Sequence, residues 1–219
     1  MLALLFALCA PSAMAETLSD YPCRTEIPLI RQGTTYTCGI AALHSILRWA
    51  SYDLDINDET LMEACGTTVE NGTAWGHIIE YMLGTHLLDA EWRLNMTCEE
   101  LRQILDAEGV VMMPIQAWEY KEIASNEWVS FDAEDYRDYW MGGHWVIACG
   151  YNENNVLFMD PATAGCYTAM TWDALEIRWH DSPDSGDGAA QFVKYEHAGI
   201  VVYKLSDELY DKNSVYPLD

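Results

Sequence analysis

The chain has 219 residues, half of them apolar and 12% aromatic, so it can bury an ample hydrophobic core and is not a disordered polypeptide. Its 35 acidic residues outnumber its 11 basic residues, and the net charge of −24 disfavours binding to nucleic acid or to anionic lipid. The acidity permits a cationic substrate, but it is more typical of a surface charge that serves only solubility.

The N-terminus has the pattern of a cleavable secretory signal peptide. Residues 2–10 form a short apolar run, and Ala13 and Ala15 supply a small-x-small cleavage site before Glu16. This run is too short to span a bilayer as a mature helix, and no other apolar run in the sequence is long enough. We therefore expect a signal peptide over residues 1–15, a secreted or periplasmic protein without stable membrane insertion, and a single domain over residues 16–219.

Six cysteines follow the predicted cleavage site. Their spacing gives no C-x-x-C pair and no His/Cys cluster with metal-ligand spacing, so we expect no structural zinc site. In an oxidising compartment an even number of cysteines favours three disulfides, whereas a catalytic cysteine among them would leave at most two. The sequence does not decide between these pairings. The six residues are Cys23, Cys38, Cys65, Cys98, Cys149 and Cys166.

The first half of the chain is predicted to be mainly helical. Apolar side chains recur at helical spacing over residues 38–50, and Thr37 is a suitable N-cap for that helix. Two further helices are predicted over 58–64 and 77–83, separated by the turn-rich loop "GTTVENGT". A fourth helix follows Thr97, which forms a capping box with the glutamate three residues later, and Gly109 is a fitting stop for it.

Strands dominate the second half. "VVMMPIQAW" is predicted to be a buried strand, and "GGHWVIACGYNENNVLFMDPATAG" a β-hairpin with an Asn-rich turn. Between them, the acidic and aromatic residues 119–143 indicate a surface excursion. A short helix over "TWDALEIRWHD", a loop "SPDSGDG" and a last strand "AGIVVYKL" complete the chain. Helices followed by mostly antiparallel strands predict an α+β fold.

Cys38 is the first candidate nucleophile. A cysteine in the first turn of a helix gains stabilisation of its thiolate from the exposed N–H groups and the helix dipole. No acidic residue occurs from Ile27 through Tyr52, so no carboxylate nearby in sequence opposes that charge. A buried helix also excludes charge, however, and on its own Cys38 is more often a packed structural residue.

Three further residues complete a pattern for acyl-transfer chemistry. His144 opens one strand of the hairpin and Asp160 ends the next, so both lie at the same edge, where a carboxylate can orient an imidazole. Because both faces of these strands are apolar, the pattern does not show whether the two side chains share a face. Gln32, across a turn at Gly33, can donate its amide to an oxyanion beside the backbone N–H of Cys38.

With these residues in place, the sequence resembles the papain-like cysteine peptidases, and within them the bacteriocin-processing (double-glycine) peptidases and their secreted stand-alone relatives. The segments that carry the resemblance are "RQGTTYTCGIAAL", "GGHWVIACGY" and "MDPATAG", supported by "NGT" at 71–73 and "LRQILDAEGVVMMPIQAW". "RWHD" at 178–181 is similar to a motif of one stand-alone subgroup. We expect His180 in it to tie a helix end to the sheet, or alternatively to serve the substrate site.

The resemblance implies a papain-like fold in which a helical N-terminal half, with the nucleophile helix, packs on a C-terminal sheet. It implies that Cys38 is the nucleophile, His144 the general base and then acid, Asp160 the residue that orients His144, and Gln32 part of the oxyanion hole. The expected activity is hydrolysis of peptide bonds in a peptide or protein substrate, without a cofactor. A catalytically silent binding module, and an amidase or acyltransferase on the same scaffold, are the alternatives, and the oligomeric state is left open.

Overall fold

A computed structural model of the protein describes residues 16–52, 55–117, 132, 134–163, 165–182 and 194–205. The predicted signal peptide over 1–15 lies outside the described residues. So do most of the acidic and aromatic segment 119–143 and most of the loop "SPDSGDG". Where the chain is described, it forms five α-helices: α1 Cys38–Trp49, α2 Asp58–Ala64, α3 Trp75–Gly84, α4 Cys98–Asp106 and α5 Trp172–Arg178.

The strands complete the list of elements. In the same ranges they are β1 Cys23–Arg24, β2 Leu88–Arg93, β3 Val110–Gln116, β4 Gly143–Tyr151, β5 Asn155–Met159, β6 Tyr167–Thr171, β7 His180–Asp181, β8 Tyr195–Glu196 and β9 Gly199–Lys204. Short 3-10 turns occupy Leu18–Asp20 and Glu134–Asp138.

One antiparallel sheet organises the molecule. Its strands run in the order β2-β9-β3-β4-β5-β6, with β1 paired to the end of β4, while β7 and β8 form a separate two-stranded ribbon. Neighbouring strands pair antiparallel throughout these ladders. The predicted α+β class is confirmed.

Side chains alternate between two hydrophobic cores, one on each face of the sheet. On β5, for example, Leu157 and Met159 belong to the core under α1, α2 and α3, whereas Val156 and Phe158 belong to the core under α4 and α5. A strand buried on both faces has no polar side, which is why β3 and β5 read as continuous apolar runs. The helices α4 and α5 were predicted, but their packing on the second face of the sheet was not.

The local predictions hold at most helix boundaries. α1 and α2 begin where the sequence placed them, α3 begins at Trp75 instead of residue 77, and the Thr97–Glu100 capping box is formed. Gly109 was expected to end α4 by taking the left-handed conformation, and this is wrong. Glu108, with φ 60°, takes that conformation instead. Gly109 is needed for space, because a Cβ there would lie 2.5 Å from the Tyr203 ring.

Five of the described strands were not predicted: the two-residue strands β1, β7 and β8, and the longer β2 and β6. β7 lies at the end of "TWDALEIRWHD", so the predicted helix ends earlier, at Arg178. β2 alternates Leu88, Ala90 and Trp92 inward with charged residues outward, which is the period of a half-buried strand. β6 carries no such alternation and pairs only at the edge of the sheet, along β5. Its position therefore depends on its neighbour and not on a pattern of its own.

None of the six cysteines after residue 15 is paired. The structure therefore contains neither the three disulfides nor the two that the cysteine count suggested. Several of these thiols instead contact oxygen atoms: Cys23 and Cys98 donate to the carboxylates of Asp106 and Glu176 at 3.3 and 3.0 Å. Cys149 is buried mid-strand and donates to the Leu157 carbonyl.

Candidate active site

Cys38 is the first residue of α1, and its side chain is only partly buried. The predicted N-cap Thr37 is at the expected position, but its side chain makes no capping hydrogen bond. Its hydroxyl instead accepts from the backbone N–H of Thr34 at 3.1 Å, closing the loop that leads into the helix. The N–H groups of the first helical turn have no partners within the helix, so they are available to negative charge at this point.

His144 and Asp160 meet across the β4–β5 hairpin. Ile147 pairs with Met159, so the start of β4 and the end of β5 lie at the same end of the hairpin, and Asp160 follows directly after β5. The Nε2 atom of His144 lies 2.7 Å from Asp160 Oδ1. The same oxygen accepts the backbone N–H of Ala162 at 2.8 Å, which fixes the carboxylate.

Cys38 is the third residue of the site, because its thiol lies close enough to His144 to raise the pKa of the imidazole. Burial of His144 lowers its pKa, but the hydrogen bonds to Asp160 and Cys38 and their negative charge outweigh burial and raise the pKa to about 9. Burial raises the pKa of Asp160, but contact with His144 overcomes this, and the net pKa is lowered. The arrangement therefore favours an imidazolium between two anionic groups.

Gln32 is attached to the same site through its backbone. Its N–H donates to the carbonyl of Pro161, the residue after Asp160, at 2.9 Å. The Nε2 atom donates to the Thr34 carbonyl at 2.7 Å, and because an amide nitrogen carries two hydrogens, one is left for another acceptor. Its Oε1 atom is buried, and none of the described residues donates to it.

This geometry agrees with the outcome of a comparison with protein families. Residues 24–185, most of the chain, match the model of the Peptidase_C39 like family. The chain belongs to this family. It is accordingly a cysteine-type peptidase, as the resemblance implied, and the predicted relationship to double-glycine peptidases is confirmed.

Solved structures with a similar fold include three peptidases, each 14% identical to this one. One is a double-glycine-motif protease from an AMS/PCAT transporter in complex with the leader peptide, with a TM-score of 0.50, over 84% of this chain and 94% of that chain. A C39-like peptidase from Bacillus anthracis has a TM-score of 0.53, over 83% and 96%. The peptidase domain of Streptococcus ComA, a bifunctional ABC transporter involved in a quorum-sensing pathway, has a TM-score of 0.50, over 82% and 98%.

The likeness to these structures is one of fold. Among curated proteins, the comparison finds no match to this peptidase.

Two residues that the sequence did not single out lie beside Gly39, the residue after Cys38 in this C39-like peptidase. A Cβ added at Gly39 would lie 3.1 Å from the Thr73 side chain and 3.2 Å from the Trp145 ring. Thr73 belongs to the "NGT" segment, and Trp145 follows His144 directly. Trp145 also contacts Trp92 edge-on, and Trp92 stacks on Trp75 with ring centroids 4.8 Å apart. No periodicity in the sequence indicates that these aromatic residues converge.

Two other histidines, His44 and His180, have structural partners. His44 pairs with Asp58 at 2.7 Å and so joins α1 to the start of α2. His180, which follows α5, contacts the Tyr139 carbonyl at 2.8 Å and packs against Trp140, consistent with the expected structural role.

Over the ranges that the structure describes, no group of three or more His, Cys, Asp or Glu residues could hold a metal ion. In those ranges no helix has the length and apolarity required to cross a bilayer.

Proposed function

We propose that this protein is an exported cysteine peptidase that hydrolyses peptide bonds through Cys38, His144 and Asp160. The observation that carries the proposal is the contact of 2.7 Å between His144 Nε2 and Asp160 Oδ1, with Cys38 close enough to the same imidazole to raise its pKa. A binding module has no need of these three side chains together, whereas a thiol hydrolase requires each of them.

In this mechanism the Cys38 thiolate, paired with the His144 imidazolium, attacks the scissile carbonyl. The negative charge that develops on the carbonyl oxygen is stabilised by the backbone N–H of Cys38 and by the amide of Gln32. His144 then donates its proton to the leaving amine, leaving an acyl-enzyme on the sulfur. As a base, His144 next activates the water that releases the acid product, while Asp160 holds the ring in the required orientation.

A peptide substrate and an extracytoplasmic location belong to the same proposal. One similar structure contains a leader peptide, which supports a peptide as the substrate here. The apolar run at residues 2–10 with its small-x-small site supports export, with Glu16 as the first residue of the mature chain.

Selective alkylation of Cys38 tests the nucleophile. In a Cys166→Ser background, which removes the one exposed thiol among the described cysteines, we expect iodoacetamide at pH 6 to modify Cys38 first. Burial raises the pKa of Cys65 to about 11 and that of Cys149 to about 12, so these protonated thiols are internal controls. His144→Ala should abolish the selectivity, and uniform reactivity of all thiols would favour the binding module instead.

Cleavage of a peptide library tests the reaction. We expect mass spectrometry to find new carboxyl and amino termini from peptide-bond hydrolysis, and none with Cys38→Ala. Products from side-chain amides alone, or acyl transfer to an added amine without hydrolysis, would replace the peptidase with an amidase or a transferase.

A further inference from the structure

A buried polar cluster contacts the chain at the start of β4. Its centre is Gln116, the last residue of β3, which has no solvent exposure and pairs in register with Gly143. Its Nε2 atom donates to the His180 carbonyl at 3.0 Å and to Asp181 Oδ1 at 3.1 Å. Its Oε1 atom accepts the backbone N–H of Gly142 at 2.9 Å. One side chain thus joins the end of β3, the ribbon strand β7 and the two residues that precede His144.

Asp181 forms the second part of this Gln116 cluster. Its Oδ1 atom also accepts the backbone N–H of Ser182 at 2.8 Å, so the partly buried carboxylate is fixed from two sides. Both of its oxygens would lie 2.7 Å from a Cβ built on Gly143. The carboxylate therefore packs directly on the backbone of Gly143, the residue before His144. Only glycine fits at this position, because any other side chain would overlap with the carboxylate.

Two other residues of the "RWHD" motif bind separate parts of the chain. Arg178 donates from Nε to the Gln116 carbonyl at 2.7 Å and from Nη2 to the Ala117 carbonyl at 3.3 Å. Trp179 is fully buried and donates to the Ala198 carbonyl at 2.8 Å. The motif, which the proposed mechanism does not use, thus links α5 to the end of β3 and to the start of β4.

We propose that Gln116 and Asp181 are positioning residues that hold the Gly142–Gly143 segment and, through it, the imidazole of His144 against Cys38. This inference rests on the proposed function. Two consecutive glycines would otherwise give the start of β4 more backbone freedom than any other dipeptide. A buried network whose members are all satisfied selects one arrangement of that segment.

Precise placement of the imidazole is what this restraint supplies to the reaction. His144 has to contact Cys38 on one side and Asp160 on the other at the same time. A displacement of about 1 Å at a reacting group can reduce the rate by roughly 100-fold, even when its cause lies away from the chemistry. Loss of the Gln116 cluster should therefore lower kcat and change the acid–base behaviour of Cys38 without removing any group that touches the substrate.

The variants that test the inference are Gln116→Leu and Asp181→Ala, with Asp181→Asn as the conservative replacement. The asparagine keeps an Oδ1 acceptor for Gln116 and Ser182, so we expect it to retain most of the activity. Trp179→Phe is the matched control, because it removes a hydrogen bond from the same buried motif but none from the Gly142–Gly143 segment. Each variant is measured for Tm, for kcat and KM on one cleaved peptide, and for the pH dependence of Cys38 alkylation.

For Gln116→Leu and Asp181→Ala we expect kcat to fall by roughly 10- to 100-fold with little change in KM. We also expect the alkylation of Cys38 to shift towards the pH profile of an ordinary thiol. Trp179→Phe should lower Tm and keep the wild-type alkylation profile. If Gln116→Leu does not fold, Asp181→Ala decides the test, because its partner Gln116 still binds Gly142 and His180.

The inference is overturned if Asp181→Ala lowers Tm as Trp179→Phe does but keeps both kcat and the alkylation profile of the wild type. It is equally overturned if Asp181→Asn lowers kcat as much as Asp181→Ala does. The retained Oδ1 acceptor would then make no difference to catalysis. Failure of the proposed function has a different signature: the wild-type protein itself would show no selective modification of Cys38.

Discussion

At the scale of single residues, the site depends on how His144 is kept charged. Burial alone would favour a neutral imidazole, because a charged ring loses its hydration. Two anionic partners reverse that effect, and the pKa rises to about 9. At neutral pH the ring therefore holds the proton that, in the proposed mechanism, passes to the leaving amine.

Asp160→Asn tests this balance. The amide keeps the size of the carboxylate but removes its charge, so the pKa of His144 should decrease. We expect the alkaline limb of the kcat/KM profile, near about pH 9 in the wild type, to move to lower pH, with a lower maximum rate. Glu80→Gln, which removes one charge from the exposed side of α3, is the control and should leave the limb in place. An unchanged limb in Asp160→Asn would contradict the role of the carboxylate.

At the scale of elements, the start of α1 has little room for change. Cys38 lies beside His144 while Gly39 packs against Thr73 and Trp145. The helix itself follows from local signals, namely the apolar spacing and the absence of acids. Its tight N-terminal packing does not, because Thr73 and Trp145 come from distant parts of the sequence.

Gly39→Ala and Gly76→Ala form a matched pair, because each glycine is the second residue of its helix. Nothing lies within 4 Å of a Cβ at Gly76, so alanine there should stabilise the protein by about 0.4–1 kcal/mol. At Gly39 the added methyl would meet Thr73 and Trp145 at 3.1 and 3.2 Å, and overpacking of this kind costs about 1–3 kcal/mol.

We therefore expect urea denaturation to show opposite signs for the two variants. Peptidase activity should fall only for Gly39→Ala, because displacement of Trp145 moves the neighbouring His144. Equal stabilisation by both substitutions would show that the contacts at Gly39 are not restrictive.

At the scale of the whole molecule, one sheet has a hydrophobic core on each face, and the site lies at one end of its inner strands β4 and β5. Cys38 comes from a helix on one face, and the imidazole of His144 and the carboxylate of Asp160 come from a hairpin within the sheet. Folding and assembly of the site are thus the same event, and the ionic interactions of the site contribute to global stability.

The free energy of unfolding should consequently depend on pH through His144. Its pKa is raised from 6.5 to about 9, so the contribution is complete below about pH 6.5 and is lost as the pH rises through about 9. For Asp160, whose pKa is lowered, the contribution is present above the unfolded-state pKa and is lost in acid. Denaturant titrations of the wild type should show stability decreasing between pH 6.5 and 9, and His144→Ala should show a smaller slope. Equal slopes would contradict the coupling.

The sequence by itself determined the local elements and the chemistry. Apolar spacing placed α1, the Thr97–Glu100 pair placed the start of α4, and the Asn-rich turn placed the β4–β5 hairpin. These signals act between residues close in the chain, so they do not depend on the rest of the fold. The ordered set of Gln32, Cys38, His144 and Asp160 indicated a thiol hydrolase because few other reactions use that combination of side chains.

Only the tertiary structure decided how those residues meet. Both faces of β4 and β5 are apolar, so no pattern could fix the register that sets Asp160 beside His144. The roles of Gln116 and of the "RWHD" motif were equally hidden, because the contacts between them join segments more than 60 residues apart. Contacts of that kind arise from packing and hydrogen-bond satisfaction in three dimensions, and they leave no periodic signal in the sequence.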